Sequence, residues 1–147
     1  GAEAYSIHRQ WLSRIDEYDP RVGKRIALGK DLNAADYVDL LRLRSDYMRA
    51  VERAAAPFDA ILMPSVPCIA PSIAECTASD DDYFRWNLRI LRNAGLVNFL
   101  DGCAASVPCQ APGAAPVGLS VCGTAMSDRH ILAVAAAIQA ALAARGR

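Results

Sequence analysis

The chain has 147 residues, with 16 basic and 16 acidic side chains and no net charge, so no global field steers it toward nucleic acid or an anionic membrane. Hydrophobic residues make up 53% and charged residues 22%, a balance that excludes a disordered chain. No apolar run reaches the roughly 18 residues of a membrane span, and the opening G-A-E-A-Y-S-I-H-R-Q-W lacks the apolar core of a signal peptide.

The first expected element is an amphipathic helix over residues 2–18, where Ile7, Trp11, Leu12 and Ile15 share a face. Helical character from the first residues, without an initiator methionine, reads as a start inside a longer protein. Asp19-Pro20 offers an N-cap with proline at the first helical position, opening a short helix over 21–28 with Gly29 as its C′ residue. Asn33, with Asp36 three residues on, caps a long helix over 34–55. Tyr37, Leu40, Leu41, Tyr47, Met48 and Val51 form its apolar face, and its arginines form a solvated one. Pro57 ends it. D-A-I-L-M-P (59–64) is a nearly continuous apolar run that reads as a buried strand, and the proline-rich 65–79 as irregular chain.

Asp80, Asp81 and Asp82 suit a helix N-terminus better than a cation site, because consecutive helix residues point apart. The helix they open runs to about Gly95, with Phe84, Leu88 and Leu91 as its stripe. Two strands, 104–107 and 117–122, flank a connection rich in proline and glycine. Ser127 caps a last helix over 128–144, with Ile131, Leu132, Val134, Ala135, Ile138 and Leu142 turned inward. The expected organisation is one domain over 1–147: helical in 1–56; strand, loop and helix in 57–100; two strands and the final helix in 101–147. Helices alternating with three short strands give an α/β piece whose narrow sheet more strands would complete.

Chemistry is sparse. Cys68, Cys76, Cys103, Cys109 and Cys122 form no C-x-x-C pair and lie far in sequence from His8 and His130. They read as reduced, buried thiols of a cytoplasmic protein. No G-x-S-x-G, S-x-x-K or phosphate-cradling glycine motif occurs, and the only lysines are Lys24 and Lys30. No metal or cofactor is implied.

Four segments do carry a signal: V-G-K-R-I-A-L-G-K-D-L-N-A-A-D-Y, F-D-A-I-L-M-P-S-V-P-C-I-A-P, N-F-L-D-G-C-A-A-S-V-P-C and P-V-G-L-S-V-C-G. In this order and spacing, over about 22–138, they resemble the C-terminal third of amidase signature enzymes. That family includes bacterial amidases, ureido-compound hydrolases and the amidase component of glutamyl-tRNA amidotransferase. The resemblance implies the C-terminal portion of a mixed-sheet α/β fold, long helices packed on about three short strands. It also implies C–N bond hydrolysis through a Ser–Ser–Lys triad and a serine-rich oxyanion loop. All of these parts lie upstream in the family, so no catalytic residue is carried onto this chain.

What the resemblance does carry over is pocket-forming. Arg25 matches an arginine that holds a substrate carboxylate in the amidotransferase relatives, with Lys24 beside it; an ordinary helix-surface charge is the competing reading. Ala94, Leu96 and Val97 match residues lining the acyl side of the pocket, where packing alone is the alternative. Ile90 or Leu91 stands where those relatives place an acid, which disfavours a substrate held by a free amino group. Ser65 stands at a usual threonine, with turn hydrogen bonding as its expected task. Expected partners are a small-molecule amide substrate in the full-length enzyme, and either a second copy of the chain or the upstream amidase portion. A catalytically inactive interaction module, pairing through an incomplete sheet edge, is the alternative function.

Overall fold

A computed structural model describes residues 1–145. It is a mixed α/β fold that divides into two units, residues 1–45 and 46–147.

The first unit is helical. Helix α1 (Ala2–His8) is followed by a 3-10 segment, Leu12–Glu17. The single helix expected over 2–18 is therefore broken: Trp11 and Arg14 leave the ideal helical region, and His8 packs edge-on against Trp11 and Tyr18 across the bend. His8 Nδ1 lies 3.0 Å from the Tyr18 hydroxyl, so these rings are tied to each other by local structure. Helix α2 (Pro20–Ala27) opens as expected, with the Asp19 carboxylate accepting from the Arg21 and Val22 amides. Gly29, expected as a simple stop, lies buried in a second 3-10 turn, Leu28–Asp31. A Cβ there would come within 2.6 Å of the Tyr5 Cβ, so close approach to α1 explains the glycine. Helix α3 (Ala34–Ala55) starts at Asn33, whose Oδ1 accepts from the Asp36 amide at 2.9 Å. No residue of α3 is buried; its expected apolar face is only partly covered.

The second unit carries the sheet. Strands β1 (Ile61–Pro64), β2 (Cys103–Pro108) and β3 (Gly118–Gly123) stand in the order β1-β3-β2, both pairs antiparallel. Side chains alternate across a strand, so the register separates two faces. One carries Val107 and Val121 and is covered by helix α6 (Asp128–Arg145), whose Ile131 and Ala135 complete the buried cluster. Leu132, expected inward, is 63% exposed; the inward stripe is Ile131, Val134, Ala135, Ile138 and Leu142. The other face carries Met63, Ala104, Ser106 and Ser120 and looks toward helix α5.

Between β1 and α5 the chain expected to be irregular contains one short helix, α4 (Ile73–Thr77). A reciprocal capping box holds it: the Ser72 hydroxyl accepts from the Glu75 amide, and the Glu75 carboxylate accepts from the Ser72 amide. Helix α5 (Asp80–Leu100) is capped by the Ser79 hydroxyl and carries its three aspartates in the first turn. It does not stop at Gly95. The stop is a Schellman closure, with Asp101 left-handed (φ 62°) and the Gly102 amide donating to the Val97 carbonyl at 3.0 Å. The inward stripe is also displaced from the expected one. Leu88 and Leu91 are exposed, whereas Asn93, Val97 and Leu100 are buried.

Of the five cysteines, all free, only Cys122 is buried and Cys109 is exposed. Cys109 follows β2, on the open connection to β3, which gives its thiol no wall. No described helix is long and apolar enough to cross a membrane.

Candidate functional site

The polar face of the sheet is where chemistry gathers. Ser106 and Ser120 are register partners on β2 and β3. Ser65 extends β1 by one step, its amide donating to the Gly118 carbonyl at 2.8 Å. Its Oγ lies 2.6 Å from the Ser106 Oγ and 2.8 Å from the Ser120 Oγ. One hydroxyl thus bridges two strands. Gly118 makes this possible, because a Cβ there would sit 2.5 Å from the Ser106 Oγ and 2.6 Å from the Ser65 Oγ.

Helix α5 lies over this face. Buried Asn93 ties it down, its Nδ2 donating to the Pro64 carbonyl at 2.7 Å while its Oδ1 accepts from Arg92 Nε at 3.2 Å. Along α5, Asn93, Ala94, Val97 and Asn98 line a cavity of about 250 Å³ closed below by Met63, Ser65, Ala104 and Ser120. The i, i+1, i+4, i+5 spacing is one helix face. Gly102 narrows its end, where a Cβ would meet the Val97 and Leu100 side chains at 3.3 Å.

Of the residues singled out in the sequence, Ala94 and Val97 line this cavity. Leu96 does not: it is half-exposed, and its carbonyl accepts from the Tyr47 hydroxyl at 3.4 Å. A helix turns 100° per residue, which carries Leu96 away from the face shared by Ala94 and Val97. Arg25 belongs to the other unit, on α2 with its side chain exposed. Ser65 has a larger part than turn bonding, as the bridge in the hydroxyl cluster. Ser106, Ser120 and Asn93 escaped sequence reasoning. Alternation along the two strands of 98–123 holds the signal for the serines, but their partnership needs the register.

No Asp, Glu, Lys, Arg or His is among the described residues lining the cavity, so its hydroxyls have no base and act as hydrogen-bonding groups. His130 is engaged elsewhere, Nε2 lying 2.9 Å from the Asp59 carbonyl, and joins α6 to the segment before β1. Among the described residues no cluster of His, Cys, Asp or Glu is arranged to hold a metal ion. Burial raises the Cys122 thiol pKa above its ordinary value, with nearby Cys103 adding to the effect.

Comparison with known proteins agrees with the resemblance. The family model described as Amidase matches residues 9–132. A 2-amino-5-chloromuconic acid deaminase from Comamonas testosteroni is 26% identical over 138 residues, covering 91% of this chain and 29% of that protein. The amidase component of the glutamyl-tRNA(Gln) amidotransferase from Symbiobacterium thermophilum is 28% identical over 144 residues, covering 94% of this chain and 29% of the relative. Its counterpart from Agathobacter rectalis is 26% identical over 140 residues, covering 90% and 27%. The chain thus spans less than a third of the length of these curated relatives. With the family model matching most of its length, the chain belongs to the amidase family.

Proposed function

We propose that these residues form the C-terminal part of an amidase-type hydrolase that cleaves the C–N bond of a small amide or ureido compound. They supply pocket wall and scaffold, and the Ser–Ser–Lys triad comes from an upstream portion. One observation carries this reading: the family match spans residues 9–132, yet the cavity under α5 offers hydroxyls and amides with no base. Ala94 and Val97 are the acyl-side wall in this reading, with Leu96 beside them, and Arg25 is the carboxylate partner. The partners are the small-molecule substrate and the upstream amidase portion, and the compartment is the cytoplasm. The test compares the 147-residue chain alone with the same chain joined to, or mixed with, an upstream amidase portion carrying the triad. Hydrolysis is expected only in the second case; turnover by repurified chain alone overturns the proposal.

A second reading, an inactive module that pairs with another copy, is favoured by one observation. Strands β1 and β2 each pair only with β3 among the described residues, which leaves two unpaired edges, and β1 exposes Leu62. Light scattering over a concentration series tests it, and a strict monomer at high concentration counts against it.

A further inference from the structure

Ser65 separates the cavity under α5 from a larger one. On its other side a cleft of about 480 Å³ opens between the chain after β1, Ile90 of α5 and the connection from β2 to β3. That volume falls in the range of small-molecule sites, roughly 300–1,000 Å³. Its walls include Val66, Pro71, Ile90, Pro108, Pro116 and Val117. Three of these are prolines, whose fixed φ keeps the walls in shape before anything binds. No Asp, Glu, Lys, Arg or His is among the described lining residues.

The polar groups sit at one end. Ser65 and Ser106 line the cleft, and behind them Ser65 reaches Ser120. Each serine has one O–H to donate and two lone pairs. Two oxygen–oxygen contacts occupy two of the three O–H groups, so the cluster retains one donor and several lone pairs. Gln110 adds a side-chain amide, fixed by its Oε1 accepting from the Val117 amide at 3.2 Å. Gly118 leaves the space the hydroxyls occupy.

We propose that this cleft is a binding site for a small uncharged molecule whose apolar body carries one group that both donates and accepts a hydrogen bond, such as a hydroxyl or carboxamide. The apolar walls take the body and the serine cluster takes the polar group. An ion finds no counter-charge in the lining and loses its hydration on entry, which sets the selectivity. Binding is read without hydrolysis, so failure here is distinct from failure of the hydrolase reading.

The experiment is a ¹⁵N amide-shift titration of the 147-residue chain with four ring compounds of similar size: benzyl alcohol, toluene, benzoate and benzylammonium. Benzyl alcohol is expected to shift the amides of Ser65, Ser106, Val117 and Gly118 saturably, with a Kd on the order of millimolar for so small a ligand. The two ions are expected to bind at least about tenfold more weakly. Ser106→Ala is expected to weaken benzyl alcohol about three- to tenfold while leaving toluene unchanged. That pairing separates a lost hydrogen bond from a damaged fold. Equal binding of the alcohol and both ions, saturable shifts confined to other residues, no saturable shift, or equal weakening of toluene and alcohol by Ser106→Ala would each overturn the proposal.

Discussion

Replacing Asn93 with alanine tests how α5 is held on the sheet. Asn93 is 7% exposed, and its Nδ2 donates to the Pro64 carbonyl at 2.7 Å. Truncation removes that donor and leaves a covered carbonyl short of its partner. Such a loss costs about 1–3 kcal/mol, more than the net worth of an average hydrogen bond, because the stranded group has lost water as well. In a unit of about 100 residues each kcal/mol lowers Tm by roughly 4–8 °C. Urea unfolding followed by far-UV circular dichroism, at unchanged m-value, measures the difference. Asn93→Asp keeps the shape but places an acceptor against the carbonyl, so at pH 7 it should cost at least as much. Asn98→Ala, an exposed change on the same helix, should stay within about 0.5 kcal/mol of the parent. An Asn93→Ala chain as stable as the Asn98→Ala chain would rule out this anchor, since α5 would then be held by apolar contact alone.

The other expectations are more local. Ile131→Ala opens the cluster of Val107, Val121 and Ala135, where Ile131 is 2% exposed, and should cost about 2–5 kcal/mol in the same unfolding assay. The Glu75 carboxylate is held below its ordinary value of 4.5 by the Ser72 backbone amide and then by the Ser72 hydroxyl. A depressed acid contributes stability above pH 4.5 that is lost as pH falls through its folded value. Ser72→Ala should therefore move the Glu75 titration midpoint upward by side-chain NMR; an unmoved midpoint contradicts the capping box. The buried Cys122 thiol, raised above 9.0, contributes stability that is present below pH 9.0 and lost as pH rises through its folded value. Mass-spectrometric footprinting with a thiol reagent at about pH 8 should label exposed Cys109 first and Cys122 last. The reverse order would contradict the placement of β3.

Helix caps were legible in the sequence where a short polar side chain meets a following amide. Asp19, Asn33 and Ser79 open helices where their spacing says they should. Termination was less legible. Gly95 looks like a stop, but one glycine in an exposed helical position costs only about 1 kcal/mol, and α5 runs on to Asp101, a residue less common than glycine in the left-handed region. The displaced stripe of α5 has a tertiary cause. Asn93 enters the covered face because the Pro64 carbonyl needs a donor, and no periodicity of apolar residues encodes that. The serine cluster shows the same limit: Ser65 lies 41 residues from Ser106 and 55 from Ser120, and only antiparallel register brings the three together. S-x-x-E at Ser72–Glu75 was present to be read, yet the surrounding prolines masked a helix of little more than one turn.

Whether this amidase-family chain supplies walls and leaves the catalytic groups to an upstream portion is decided by hydrolysis itself. A panel of small amides and ureido compounds is assayed as ammonia release, using the 147-residue chain with and without an upstream portion carrying a serine-rich loop and base lysine. No release is expected from the chain alone. Release is expected from the combination, and it should fall when Ala94 or Val97 is replaced by a bulkier residue that fills the cavity under α5. Ammonia release by the chain alone, persisting through repurification, would contradict this division of labour.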